Sequence, residues 1–383
     1  MTEDRAFLRM LFEAAVAASK PAACMPLWLE DRPTGKVVVV GAGKAAASMA
    51  AIVEQEWVEQ EWAEPLSGLV IVPYGHGADC DHIKVVEAGH PVPDENGVAA
   101  TRRILDMVSD LSADDTVVCL LSGGGSSLLC APAPGVTLEQ KIAATTELLR
   151  SGLAIHEINQ ARRELSAVKG GKLAAACAPA NIITLIISDV PGNDPSVVAS
   201  GPTVVDAASA LENDVRILAT SDDALQAAAL RALESDINPY VLGDLAGDAR
   251  ELAREHAQLA IDIAVGKGPV EKPCVILSGG ETTVHVTGTG RGGRNGEYAL
   301  ALAIALDGHE GISAIAADTD GIDGTSDNAG CLVFPDSLSR SAQDAVAMQA
   351  NNETYDFFAS LDDLVITGPT RTNVNDFRAI LIR

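Results

Sequence analysis

The sequence predicts an α/β protein built as two α/β domains, an N-terminal Rossmann-like domain with a mainly parallel sheet and a smaller C-terminal domain with a mixed sheet. Three observations carry this expectation. Apolar runs of strand length end at glycine and lead into Ala- and Leu-rich helical stretches, the signature of βα units. The unit of strand followed by Ser-Gly-Gly occurs twice, as Thr116-Val-Val-Cys-Leu-Leu-Ser-Gly-Gly124 and as Cys274-Val-Ile-Leu-Ser-Gly-Gly280. At 383 residues the chain is also long for a single core. The expected domains are residues 1–238 and 239–383, with the last strand returning onto the N-terminal domain.

Taken in order, residues 3–20 read as a helix, because Leu8, Leu11, Phe12 and Ala15 share a face and Pro21 stops it. Lys36-Val-Val-Val-Val-Gly-Ala-Gly-Lys44 is a strand and a Gly-x-Gly turn before an Ala-rich helix. It matches the dinucleotide fingerprint by letter, but the next strand, 68–74, ends without the acidic residue that would hold a ribose. Lys44 at the mouth of the turn suggests a phosphate or carboxylate partner, since a cation at a helix start is otherwise unfavourable. His90 and Asp94 lie in a loop of turn formers, and residues 98–111 read as helix. The cluster from His76 to His82 matches no zinc spacing.

The loop Ser122, Gly123, Gly124, Gly125, Ser126, Ser127 lets a ligand approach the backbone closely and offers hydroxyls. A helical region is expected over 137–178, in which Arg162, Ser166 and Lys169 would share one face, a basic stripe in an acidic protein. The run 181–187 is a buried strand leading to Asp189, where open α/β sheets hold ligands. Residues 207–236 read as helical, 240–242 as a short strand and 246–265 as a helix. The second glycine loop contributes Gly279, Gly280, Glu281 and Thr282, and the alternation over 282–287 suggests an antiparallel strand. Gly288-Thr-Gly-Arg-Gly-Gly-Arg-Asn295 resembles an anion clamp more than a pyrophosphate turn. The strand 312–317 ends in Asp318-Thr-Asp-Gly-Ile-Asp-Gly324, whose carboxylates suit a hard cation such as Mg²⁺. A helix over 338–350, a strand from 364 and a final apolar strand to Leu381 complete the chain.

Composition excludes several functions. A net charge of −26 argues against nucleic-acid binding, which needs clustered basic residues to displace counterions. Seven scattered cysteines and no basic, apolar leader suit a cytoplasmic setting, and no run is long and apolar enough to span a membrane. Glycine loops, Lys44, Arg294 and the strand-end acids Asp189, Glu281 and Asp318 together match phosphoryl transfer, in which positioning and charge neutralisation supply most of the catalysis. The chain has neither a G-x-x-x-x-G-K-[ST] loop nor the H-R-D and D-F-G signatures of protein kinases.

The ordered motifs Gly41-Ala-Gly-Lys-Ala45, Gly89-His-Pro-Val-Pro-Asp94, Leu121-Ser-Gly-Gly-Gly-Ser-Ser127, Lys169-Gly-Gly-Lys172, Ser188-Asp-Val190, Leu277-Ser-Gly-Gly-Glu-Thr-Thr283, Gly290-Arg-Gly-Gly-Arg-Asn295, Thr319-Asp-Gly-Ile-Asp-Gly324 and Thr372-Asn-Val-Asn-Asp376 together resemble the class II glycerate 2-kinases over nearly the whole chain. The resemblance implies an N-terminal domain, a MOFRL-type C-terminal domain and an active site in the cleft between them. It implies ATP- and Mg²⁺-dependent phosphorylation of D-glycerate at the 2-hydroxyl, while the sequence leaves a monomer and a homodimer both open. Lys44 and Arg294 match the family's catalytic pair and would contact the glycerate carboxylate and the phosphate in transfer, with Asn295 and His90 also near substrate. Asp189 is the expected base or a metal ligand, alongside Glu281 and Asp318. The loops 122–127 and 279–282 would hold the nucleotide. Gly296, Asn193 and Arg371 stand where the family pattern has Gln, Asp and Gly. The alternative is an NAD(P)H-dependent hydroxypyruvate reductase, a name some members of the family carry.

Overall fold

In the computed structural model, residues 2–29, 32–58, 66–150, 155–205 and 213–383 are described. They divide into two compact units, one formed by Lys20–Ala219 with Arg371–Asn373, the other by Met1–Ser19, Thr220–Thr370 and Val374–Arg383.

The first is a parallel-sheet unit. Its strands are β1 (Val37–Ala42), β2 (Ser67–Pro73), β3 (Ile83–Ala88), β4 (Thr116–Leu121), β5 (Asn181–Ile187) and β6 (Asn213–Ala219). They lie in the order β3-β2-β1-β4-β5-β6, and every neighbouring pair is parallel. β1 and β4 are buried along their whole length, which explains their unbroken Val and Leu runs: a parallel strand covered on both faces has no polar side to show. From β1 the chain winds outward through β2 and β3, and from β4 through β5 and β6. The loops after β1 and β4 therefore diverge at the topological switch point, where open parallel sheets leave a crevice.

The second is a mixed-sheet unit with β7 (Asn238–Asp244), β8 (Gly247–Asp248), β9 (Cys274–Gly279), β10 (Thr282–Thr283), β11 (Ile312–Asp318), β12 (Gly330–Val333), β13 (Leu364–Val365) and β14 (Asp376–Ile382). The main sheet runs β13-β12-β11-β14-β9-β7, antiparallel except for the β7–β9 pair. The helices Ala249–Ala264 and Arg294–Leu306 bury Ala and Leu faces in one core with Ile276, Ile315-neighbouring Ala316 and Ile380. Asp248 caps the first of these helices by accepting from the Arg250 and Glu251 amides. Leu8, Leu11, Phe12 and Ala15 of the first helix, Thr2–Ala18, are buried as expected from their spacing.

Several expectations are corrected. The last strand, β14, lies between β11 and β9 in the middle of the mixed sheet, and its Phe377 packs against Phe12 of the first helix with ring centroids 5.9 Å apart. The division falls at Ala219/Thr220 rather than 238/239, and the first helix groups with the C-terminal half. The span 207–236, of which 207–212 fall outside the described residues, holds β6 before the helix Ser221–Leu233. The helical region 137–178 is three helices, Leu138–Arg150, Ile155–Glu164 and Lys172–Cys177, so Ser166 and Lys169 lie beyond the helix that carries Arg162. The alternation over 282–287 yields only the two-residue β10, which pairs in parallel with β8. The span 338–350 is two short helices, Ser337–Arg340 and Ala345–Ala350.

Candidate active site

In the parallel-sheet unit the site residues meet at the ends of β1, β4 and β5. Gly43 (φ +138°) follows β1, and a Cβ there would lie 2.2 Å from the Ser122 Oγ. The Lys44 amide donates to the Gly123 carbonyl at 2.9 Å, and the Ala45 amide donates to the Ser122 Oγ at 2.9 Å. These contacts bind the first glycine turn to the loop after β4. Lys44 is half-buried there, ahead of the helix Ala46–Val58.

Gly123 and Gly124 form the floor on which the other groups rest. A Cβ at Gly123 would stand 2.1 Å from both the Asp189 Oδ2 and the Asn373 Nδ2, and one at Gly124 (φ +80°) would stand 2.8 Å from the His90 Nε2. The Asn373 amide donates to the Asp189 Oδ2 at 3.0 Å. Lys44, His90, Asp189 and Ser122–Ser127, expected from sequence to belong to one site, are thus gathered around two glycines. Asn373 was not singled out by sequence; its signal was its place in the Thr372-Asn-Val-Asn motif. The loop continues into the one-turn helix Gly125–Leu128, where the Ser127 hydroxyl donates back to the Gly124 carbonyl at 3.1 Å. The Ser126 hydroxyl instead meets Arg162, Lys169 and Ser200.

The mixed-sheet unit holds a second centre on Arg294, the first residue of the helix Arg294–Leu306. Its guanidinium donates from Nε to the Asp376 Oδ1 at 2.7 Å, from Nη1 to the Glu281 Oε1 at 2.6 Å and from Nη2 to the Asp318 Oδ2 at 2.8 Å. Burial alone would lower the Arg294 pKa, but the carboxylates of Asp376, Asp318 and Glu281 outweigh it and hold the pKa above the ordinary value. Asp376 is fully buried and also accepts from the Asn295 Nδ2 at 2.8 Å and the Arg378 Nη2 at 2.5 Å. Burial would raise the Asp376 pKa, yet Arg294 and Arg378 bring it below the usual carboxylate range. Asp323 accepts from the Asn295 and Gly296 amides at 2.9 and 2.8 Å, supplying the cap that Gly293 has no side chain to make. Burial pushes the Asp323 pKa up to about 6.

Asp376 and Arg378 were not singled out as functional residues, because nothing local in the sequence marks a partner many residues away, and Asp323, expected among the carboxylates suited to a hard cation, instead caps the helix that Arg294 begins. Asn295, expected near substrate, is fully buried and braces Asp376. The second glycine loop differs from the first. Its Gly279 carbonyl accepts from Arg378 at 2.7 Å, and the Thr282 amide donates to Asp376 at 3.3 Å. A Cβ on Gly279 or Gly280 would meet the Ser221 Oγ at 2.1 Å or the Leu245 carbonyl oxygen at 2.2 Å. Close chain packing therefore accounts for these two glycines.

The departures from the family pattern also have positions. A side chain at Gly296 would reach the Thr354 Oγ1 at 2.4 Å. Arg371 has φ +63°, the left-handed region that favours glycine, and its carbonyl accepts from the Ser48 hydroxyl at 2.8 Å. Asn193 likewise has φ +55°.

Mg²⁺ takes hard oxygen donors and usually keeps several waters, needing one or two carboxylates. Asp189, beside the switch point, fits that demand. Glu281 and Asp318 fit it less well, since their oxygens already accept from Arg294. Within the 318–324 run, the Asp318 Oδ1 accepts from the Asp320 amide, the Asp320 Oδ1 from the Ile322 amide, and Asp323 caps a helix. Among the described residues no group of three or more His, Cys, Asp or Glu side chains is arranged to hold a metal, the His76–His82 stretch included. Nor is any helix among them long and apolar enough to cross a membrane.

Residues 7–234 match the family described as "Domain of unknown function (DUF4147)", and residues 274–376 match the MOFRL family. The chain is 47% identical to a protein of Agrobacterium vitis named "Putative hydroxypyruvate reductase", covering 99% of this chain and 94% of that one. It is 38% identical to the D-glycerate 2-kinase of Thermotoga maritima, covering 89% of each. The crystal structure of a glycerate kinase from Thermotoga maritima superposes with a TM-score of 0.90 at 35% identity, covering 100% of both chains.

Proposed function

The chain belongs to the class II glycerate 2-kinase family, and from that membership we propose that it transfers the γ-phosphoryl group of ATP to the 2-hydroxyl of D-glycerate. The observation that carries this reading is the meeting of the Lys44 backbone and the Asp189 carboxylate at one glycine: the Lys44 amide donates to the Gly123 carbonyl, and Asp189 packs against the same residue. A lysine there neutralises charge on a phosphate or carboxylate, and an aspartate accepts the proton that a hydroxyl loses as it attacks phosphorus. His90, against Gly124, adds a polar wall beside the bound substrate.

Asp189 serves as that base, or else holds Mg²⁺, which when bound would neutralise charge on the nucleotide phosphates. Arg294 contributes a permanently charged fork, and the three carboxylates around it fix its orientation ahead of substrate binding. The loop 122–127 contacts the nucleotide. The loop 279–282 supports Arg294 through Glu281 and Thr282, a reading favoured by the packing of its glycines.

The strand order of the parallel sheet, with a Gly-x-Gly turn after β1, is the observation that favours a dinucleotide reductase instead. Two features weigh against it. The space that Gly43 leaves is filled by Ser122, so no pyrophosphate is needed to account for that glycine. And β2 ends at Pro73 with no ribose-binding acid. The test is ADP release followed by a coupled assay. Release that depends on both D-glycerate and Mg²⁺ supports the kinase; oxidation of NADH by hydroxypyruvate without ADP release supports the reductase.

A further inference from the structure

Behind the one-turn helix Gly125–Leu128, four cations of this acidic chain gather: Lys141, Arg162, Lys169 and Lys172. Lys141 and Lys172 are spent on backbone carbonyls, Lys141 on Ala131 and Lys172 on Arg163 and Ser166. The other two converge on a single hydroxyl. The Lys169 Nζ donates to the Ser126 Oγ at 2.6 Å and to the Ser126 carbonyl at 2.7 Å, and the Arg162 Nη2 donates to the same Oγ at 2.8 Å. The Ser200 Oγ lies 2.9 Å from it. Lys169 is 3% exposed. Among the described residues no carboxylate pairs with Arg162 or Lys169, so two cations share one neutral acceptor.

Burying charge is costly without a counter-charge, and two like charges on one oxygen raise that cost. A buried cluster of this kind is stable when an anion completes it. The lysine pKa agrees with this picture: burial, then Arg162 and Lys141, hold Lys169 well below its ordinary value. The backbone is built around the same point. Ala199 (φ +50°) and Ser200 (φ +64°) are consecutive non-glycine residues in the left-handed region, a costly conformation that concentrates at functional sites. The Gly170 and Gly171 amides donate to the Ser200 and Gly201 carbonyls at 3.0 and 2.8 Å, locking the Lys169 turn against that strained segment. Ser126 is half-buried, so the cluster is open to ligand at that residue.

We propose that Arg162, Lys169, Ser126 and Ser200 form a buried oxyanion-binding site that takes one anionic group, carboxylate or phosphate, of the substrates. The choice between these two groups rests on the proposed phosphotransfer reaction; the existence of the site does not. The Arg162 fork and the Lys169 ammonium bind two oxygens of the anion, with the serine hydroxyls rotating to donate.

The test measures binding of D-glycerate, ATP and inorganic phosphate, each alone, to the wild-type protein, to Lys169→Met and to Arg162→Gln. Arg162→Gln removes a less buried charge, so it reads the site even where Lys169→Met disturbs folding. The expected result is a loss of about tenfold or more in affinity for at least one of these anions in the variants, as removal of a charge-assisted hydrogen bond produces. Loss confined to D-glycerate identifies the carboxylate; loss confined to ATP identifies a nucleotide phosphate. A phosphate affinity that depends on Lys169 in a protein that fails to phosphorylate D-glycerate supports the site and refutes the kinase reading. Affinities unchanged in both variants, or no binding of any of the three to the wild type, would overturn the site.

Discussion

The Arg294 Nε and the Asp376 Oδ1 meet at 2.7 Å, and through that contact a partly exposed cation is anchored to a fully buried carboxylate at the start of β14. Asp376 in turn is held by Arg378, Asn295 and Thr282, so the direction of the Arg294 fork is set by residues from three separate stretches of the chain. Asp376→Asn leaves Arg378, 1% exposed, without its counter-charge. Loss of one partner from a buried pair costs about 3–5 kcal/mol. Urea denaturation of the variant is expected to show a destabilisation of that order, with activity reduced further than the folded fraction alone explains. Unchanged stability would mean that the network is not what holds β14 and Arg294 together.

Gly123→Ala tests the floor of the switch-point site. The added Cβ would collide with Asp189 and Asn373 at 2.1 Å, so one of them must move. Overpacking of this kind costs about 1–3 kcal/mol, and displacement of Asp189 lowers kcat as well. Gly135, around which nothing lies within 4 Å, gives the control, although its φ of +82° imposes some backbone strain on alanine there. Equal kcat in Gly123→Ala and wild type would separate Asp189 from the chemistry.

Asp323 gives a pH dependence with a defined sign. Burial raises its folded-state pKa to about 6, above the unfolded value near 4. The folded protein therefore binds the proton more tightly, and this group's contribution to stability is fully present below about pH 4 and lost as pH rises through 6. Asp376 acts in the opposite sense, because its pKa is lowered and its contribution is lost as pH falls. Asp323→Asn isolates the first effect: the fall in stability between about pH 4 and 6 that belongs to Asp323 should disappear. An identical stability–pH curve in the variant would contradict the burial of a titrating carboxylate at this helix start.

Much of the fold was legible in the sequence where one local rule sufficed. The Val and Leu runs of β1 and β4 are buried on both faces and read as strands at once, and Leu8, Leu11, Phe12 and Ala15 declare a helix face. β6 was hidden because it is an edge strand of mixed polarity directly before the Ala-rich helix Ser221–Leu233, so the two blended into a single helical reading. The central place of β14 could not be read, since strand order depends on pairings with β9 and β11 far along the chain. The same limit applies to the sites. Lys44, Asp189 and the loop after β4 stand out at strand ends as candidates, whereas the packing role of the second Ser-Gly-Gly loop, the contacts of Asp376 and Asn373 and the meeting of Lys169 with Ser126 exist only after the chain has folded.

The central claim is tested most directly by incubating the protein with D-glycerate, ATP and Mg²⁺ and reading the product by phosphorus NMR, with Lys44→Met in parallel. The expected result is a 2-phosphoglycerate signal from the wild type that falls by roughly 100-fold or more in rate in Lys44→Met, as loss of a charge-stabilising group at the reacting phosphate requires. Lys44→Met should unfold at the wild-type urea concentration, since Lys44 is only half-buried. No phosphorylated product, together with NADH oxidation in the presence of hydroxypyruvate, would contradict the account and assign the glycine loops to a dinucleotide.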